Sequence, residues 1–111
     1  MIQGISASTS GLNASQALLD VTSNNLANLN TPGFKASQVS FREVLTAAGA
    51  PAGVAVAGVS QSAAPEVAGG SNVNPALEMV NLLLAKHAHA ANTRAIIAAN
   101  RMLTDTLSHV P

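Results

Sequence analysis

No cysteine occurs in the 111 residues, which removes disulfides, thiol catalysis and thiolate metal sites together. Tryptophan and tyrosine are also absent, and aromatic character is confined to Phe34 and Phe41. Charge is scarce: five basic and five acidic residues balance to no net charge. The chain therefore has no basic stripe for nucleic acid and no polybasic cluster for an anionic membrane. A long uninterrupted apolar run is missing as well. The most apolar window, residues 76–103, is broken by Glu78, Lys86, His87, His89, Arg94 and Arg101, which excludes a plain transmembrane helix. Residues 1–20 lack both a basic leader and a continuous apolar stretch, so no cleaved secretory signal is expected.

What is present is small. Hydrophobic residues make up 48% of the chain, but many are alanine, which buries little area per residue. One domain of this size with so few bulky side chains has a thin core. The expectation is a protein marginal on its own that gains stability by packing against copies or partners. Near-zero net charge does little to oppose self-association.

Residues 3–29 read as a helix. Ile5, Leu12, Leu19 and Leu26 recur every seven residues, the spacing of one coiled-coil seam position. The companion position holds Ser8, Ser15, Thr22 and Leu29, small and mostly polar, allowing close approach with little apolar burial. Gly4 and Gly11 each cost about 1 kcal/mol relative to alanine in a helix interior. Residues 75–108 read as a stronger helix. Asn74 is a candidate cap, Pro75 suits the first turn, and Glu78 falls where the helix dipole favours an acid. Its amphipathic stripe is Leu77, Val80, Leu84, Ala88, Ala91, Ala95, Ala98 and Met102, with Leu83, Ile97 and Leu103 widening the apolar surface. A helix apolar on more than one side needs more than one neighbour.

The first helix ends in Ser23-Asn24-Asn25-Leu26-Ala27-Asn28-Leu29-Asn30-Thr31-Pro32-Gly33-Phe34-Lys35. Thr31 precedes a proline and is biased away from helix. Pro32 presets the second position of a turn, and Gly33 tolerates the positive φ of a type II turn at the third. An abrupt stop near Asn30 and an extended segment from Phe34 follow. Asn24, Asn25 and Asn28 admit two readings: local caps of a fraying helix end, or amides bonding across subunits.

Between the helices, residues 35–45 read as extended, then briefly helical around Phe41–Leu45. Residues 47–70 are dominated by Ala and Gly, with Pro51 and Pro65. Val54-Ala55-Val56 alternates like a strand, so a hairpin between about 35–41 and 54–60 fits, and a flexible linker fits at least as well.

No chemistry emerges from the remaining polar residues. His87 and His89 stand two apart on a helix and point to nearly opposite sides, so they do not chelate one ion together. Serines occur without a nucleophile elbow, and Asp20, Glu43, Glu66, Glu78 and Asp105 are dispersed. Gly69-Gly70-Ser71 before a helix lacks the strand and lysine of a phosphate loop. Neither catalytic residues nor a cofactor or metal site are expected.

Two motifs carry a family resemblance. Ser10-Gly11-Leu12-Asn13-Ala14 with Ser23–Lys35 resembles the N-terminal signature of bacterial flagellar axial proteins, the rod and hook subunits. Ser71-Asn72-Val73-Asn74-Pro75-Ala76-Leu77-Glu78-Met79-Val80-Asn81-Leu82 resembles the start of their C-terminal helix. Two motifs in the right order are far more specific than either alone. This sequence departs from the family at Lys86-His87-Ala88-His89, where a histidine replaces the usual tyrosine, and Asn74 stands where an aspartate is common. The short middle segment is nearer the small proximal-rod type than the subunits with large β-rich middle domains.

The resemblance implies a mainly α fold: one axial-protein domain over 1–111, its two terminal helices pairing as an antiparallel, coiled-coil-like hairpin around a short middle segment. It further implies a structural, non-enzymatic subunit of the basal-body rod, exported through the flagellar type III apparatus and assembled in the periplasm. Partners would be copies of itself and other rod and hook proteins, with no nucleic acid and no direct membrane insertion. The seam residues Ile5, Leu12, Leu19 and Leu26 would meet Leu77, Val80, Leu84, Ala91, Ala98, Met102 or their neighbours, within and across subunits. Asn24, Asn25, Asn28, Asn30, Pro32, Gly33 and Phe34 would form the motif turn. The rival is a free-standing secreted helical hairpin outside any flagellum. A third alternative is an export-linked fragment whose C-terminal helix is a groove ligand.

Overall fold

A computed structural model describes residues 2–109, and the side-chain surroundings of residues 4–109. Four elements follow in order: α1 (Ile2–Ala27), β1 (Ser37–Leu45), β2 (Pro51–Gln61) and α2 (Pro75–Ser108). The two helices run antiparallel, with Asn25 against Glu78 near one end and Gly11 facing Asn92 further along. That register sets the start of α1 opposite Arg101. α2 therefore overhangs, and every residue from Asn100 to His109 is exposed.

Local chemistry accounts for each helix. α1 has no acid in its first turn and no base in its last, so the macrodipole receives no side-chain support. Its interior hydroxyls turn back onto the preceding turn instead: Thr9 donates to the Ile5 carbonyl, Ser10 to Ala7 and Ser15 to Gly11. α2 starts as its sequence predicts. The Asn74 side chain accepts from the Ala76 and Leu77 amides at 3.1 and 3.4 Å, and Pro75 occupies the first position.

β1 and β2 form a two-stranded antiparallel hairpin from Ser37↔Gln61 to Leu45↔Pro51. The register shifts twice, between Ser40 and Phe41 and between Val44 and Leu45. Of the two readings open for the middle segment, the hairpin holds, longer than the sequence suggested. The brief helix expected at Phe41–Leu45 is absent. Those residues instead pair with Val56, Ala55, Val54, Gly53 and Pro51, because their aromatic and β-branched side chains suit a pleated surface.

The hairpin lies along α1 through β2. Ser10 accepts a hydrogen bond from the Val54 amide at 3.1 Å, and Gly53, at φ 141°, sits so close that a Cβ would collide with the same hydroxyl. α1 thus lies between the hairpin and α2, giving a thin plate 70 × 27 × 14 Å across. Its radius of gyration is 18.4 Å, against about 13 Å for a compact domain of this length. Buried side chains among the described residues are Ala14, Ala36, Val73, Ala85, Ser15, Thr22, Asn25, Ser71 and Glu78. No leucine, isoleucine, phenylalanine or methionine is among them.

Candidate assembly site

The turn that ends α1 has the geometry its residues demand. α1 stops at Ala27, and the Phe34 amide donates to the Thr31 carbonyl across Pro32-Gly33, with Gly33 at φ 76°. Asn28 behaves as a local cap, donating to the Asn24 carbonyl and accepting from the Thr31 hydroxyl. Asn24 and Asn30 are exposed.

Asn25 fits neither of the two readings open for it. It is 1% exposed and clips three elements of one chain together. Its amide nitrogen donates to the Ser37 carbonyl at 2.9 Å and to Glu78 Oε1 at 3.1 Å, while its oxygen accepts from the Ser37 amide at 2.9 Å. One side chain thus completes a bridge with the first residue of β1 and reaches the first turn of α2. Glu78 is pulled out of water by this contact. Burial raises its carboxyl above the ordinary value, and the Asn25 hydrogen bond only partly offsets that. The dipole position expected to favour an ionised acid is overruled by desolvation.

The two sequence motifs meet at this end. Ser71 donates to the Leu29 carbonyl at 2.7 Å and accepts from the Val73 amide. Asn72 accepts from the Ala36 amide and donates to the Ser62 and Ala64 carbonyls. Backbone bonds from Gly33 to Gly70 and from Asn72 to Phe34 close the junction. Ser37, Ser71, Asn72 and the burial of Glu78 were not foreseen. The Ser-Asn pair opening the second motif was the available signal, but its partners lie about 36 to 42 positions away in sequence.

The expected seam is placed differently. Ile5, Leu12, Leu19 and Leu26 are half-buried, whereas the centre of the helix contact is the small companion row, with Ser15 at 6% and Thr22 at 1% exposure. Gly11 joins that row: a Cβ there would come within 2.6–2.8 Å of the Asn92 side chain. On α2 the stripe is turned away from α1. Leu77, Val80, Leu84 and Met102 are about half exposed, and Ala91 and Ala98 are exposed too. Glu78, Ala85 and Asn92 face α1 in their place, a shift of one residue or about 100° around the helix. The reason is steric and polar: a glycine- and serine-lined groove admits a small residue at its closest point, and the Asn25–Glu78 bond fixes the helix's rotation.

Because the hairpin and α2 flank α1 without touching, a groove of about 340 Å³ opens over it. Leu18 and Val21 line it from α1, Val39 and Phe41 from β1, and Leu77 and Leu84 from α2. Thr22 and Glu78 also line it, and Thr22 Oγ1 and Glu78 Oε2 have no hydrogen-bond partner among the described residues. The described residues contain no cluster of three metal-ligating side chains and no helix long and apolar enough to cross a membrane.

Residues 5–35 match the family described as flagella basal body rod protein, and residues 68–108 match the C-terminal region of the flagellar basal body rod FlgEFG proteins. Among individual relatives, the chain is 38% identical over 63 residues to the flagellar basal-body rod protein FlgG of Bacillus subtilis, covering 54% of this chain and 24% of that protein. It is 45% identical over 56 residues to the flagellar hook protein FlgE of Escherichia coli, covering 50% of this chain and 14% of that protein. It is 46% identical over 46 residues to the FlgE hook protein of Helicobacter mustelae, covering 41% and 10% respectively. The chain thus spans less than a quarter of the length of each of these relatives.

Proposed function

We propose a structural role for this chain, which belongs to the family of flagellar basal-body rod and hook proteins: it is a subunit of the rod that self-assembles through its helices into the tubular axis. The observation that carries this reading is the apolar face of α2. Leu77, Val80 and Leu84 stand 47–57% exposed on one side of a helix whose other side is packed on α1, Met102 continues the face onto the overhang, and solvent is a poor partner for such a face. The seam residues of the sequence pattern thus serve contacts between subunits rather than within one. Ile5, Leu12, Leu19 and Leu26 are half-buried on α1, and Leu19 lines a separate cleft with Leu82 and Ala85. Copies of the chain and other rod and hook proteins are the partners, and delivery runs through the flagellar type III export apparatus to the periplasmic rod.

A free-standing helical hairpin would need each helix only to cover the other, and the uncovered end of α2 weighs against it. The test is a chromosomal deletion with examination of purified basal bodies. Loss or truncation of the rod is expected, restored by the complementing chain and visible as its density in the assembled particle. Complete and functional flagella in the deletion strain would overturn the reading.

A further inference from the structure

The floor of the groove between the hairpin and α2 holds an unusual pair of atoms for an apolar cleft. Thr22 and Glu78 are 1% and 4% exposed, and Thr22 Oγ1 and Glu78 Oε2 find no partner among the described residues. A buried acceptor without a donor forfeits its hydration with nothing in return. Glu78 is also the only titratable group lining the groove, so no cation within the fold answers it. What would complete the site is a segment bringing apolar side chains for Leu18, Val39, Phe41, Leu77 and Leu84 together with a cationic donor.

This chain carries such a segment. Beyond the reach of α1, the end of α2 exposes Arg101, Met102, Leu103 and Leu107. Arg101 makes no ion pair among the described residues, where the Lys35–Glu66 contact is the only one. Lys86 and Arg94 lie mid-helix, without an uncovered end beside them. From Arg101 to Ser108 the helix rises about 10 Å, the same as the wall from Leu77 to Leu84. We propose that the groove is the docking site for the α2 overhang of a second copy of this chain, with Arg101 of that copy donating to Glu78.

The proposal rests on the self-assembling subunit reading and gives it a specific contact. Groove and overhang are different surfaces, so the interface is heterologous and repeats without closing on itself in a pair, as an axial filament or ring requires. Copies related by a shift along α2 that seats Arg101 at Glu78 also set Thr104 beside Asn81.

The absence of native cysteine makes a disulfide test clean. Within one chain, positions 81 and 104 are about 35 Å apart along α2, far beyond the roughly 7 Å that a disulfide spans between Cα atoms. Concentrated full-length protein carrying Asn81→Cys and Thr104→Cys is oxidised and run without reductant. A ladder of trimers and higher species is expected, reduced at least tenfold by adding Arg101→Glu and restored by Arg101→Lys in its place, with unchanged helix content by circular dichroism. A product that stops at dimers, or a ladder indifferent to Arg101→Glu, overturns the proposal. Incorporation of the wild-type chain into basal bodies is scored separately. Incorporation without a ladder removes the docking contact and leaves the rod reading standing. A ladder without incorporation does the reverse.

Discussion

At one end of the molecule the first and second sequence motifs are joined by side-chain amides and hydroxyls; along the shaft, long apolar side chains face solvent. Asn25, Ser71 and Asn72 use donors and acceptors alike on backbone groups of distant segments. Leu77, Leu83, Leu84 and Leu107 are 47 to 66% exposed. The junction holds one chain in shape by satisfying polar groups that burial would otherwise leave unpaired. The shaft leaves apolar area in water that burial would stabilise. A chain built this way is shaped by hydrogen bonds and keeps its long apolar side chains at the surface.

Leu84→Asp is the sharpest way to break that contrast. Because Leu84 is 57% exposed, the isolated chain is expected to change by no more than about 0.5 kcal/mol. Recovery of the variant in basal bodies is expected to fall to background, because the interface would bury an unpaired charge. Leu26→Asp tests the half-buried α1 row in the same assay. Normal incorporation of both would move the assembly surface elsewhere.

Asn25→Ala attacks the junction and has the opposite profile. It strips partners from both backbone groups of Ser37 and from Glu78, and the expected loss is about 3 kcal/mol or more in denaturant unfolding of the chain alone. An unchanged midpoint would show that the clip is ornamental. Protonation probes the same place more gently. Since burial raises the Glu78 carboxyl, the folded chain holds that proton more tightly than the unfolded one. The associated stability is fully present below the ordinary value of 4.5 and is lost as pH rises through the raised one. Glu78→Gln is expected to flatten this part of the unfolding profile.

The glycines of α1 sharpen the comparison along a single helix. Gly4 meets nothing within 4 Å, so Gly4→Ala is expected to raise stability by up to about 1 kcal/mol. At Gly11 an added methyl would run into the Asn92 side chain, offsetting that gain, and Asn92→Ala is expected to recover it. Thermal melts of Gly4→Ala, Gly11→Ala and the double variant Gly11→Ala with Asn92→Ala decide the matter. The smallest effect belongs to Lys35→Ala: its 3.2 Å contact to Glu66 is solvent-exposed, and a change under about 1 kcal/mol is expected.

Residue chemistry acting over a few positions was legible without a fold. Pro32-Gly33 specified a turn, Asn74-Pro75 a helix start, and the spacing of apolar residues two long helices. The thin core followed from alanine, serine and the near-absence of aromatics. The helix expected at Phe41–Leu45 is a strand because five residues, Arg42 and Glu43 among them, are too few to show a period of their own, and the paired strand decides their conformation. The rotation of α2 was equally beyond reach. A helix apolar on two sides carries two nearly equivalent stripes, so periodicity alone does not say which one turns inward. That choice fell to the tertiary structure, through the small row of Gly11, Ser15 and Thr22 and the buried bond from Asn25 to Glu78, a contact spanning 53 positions of sequence.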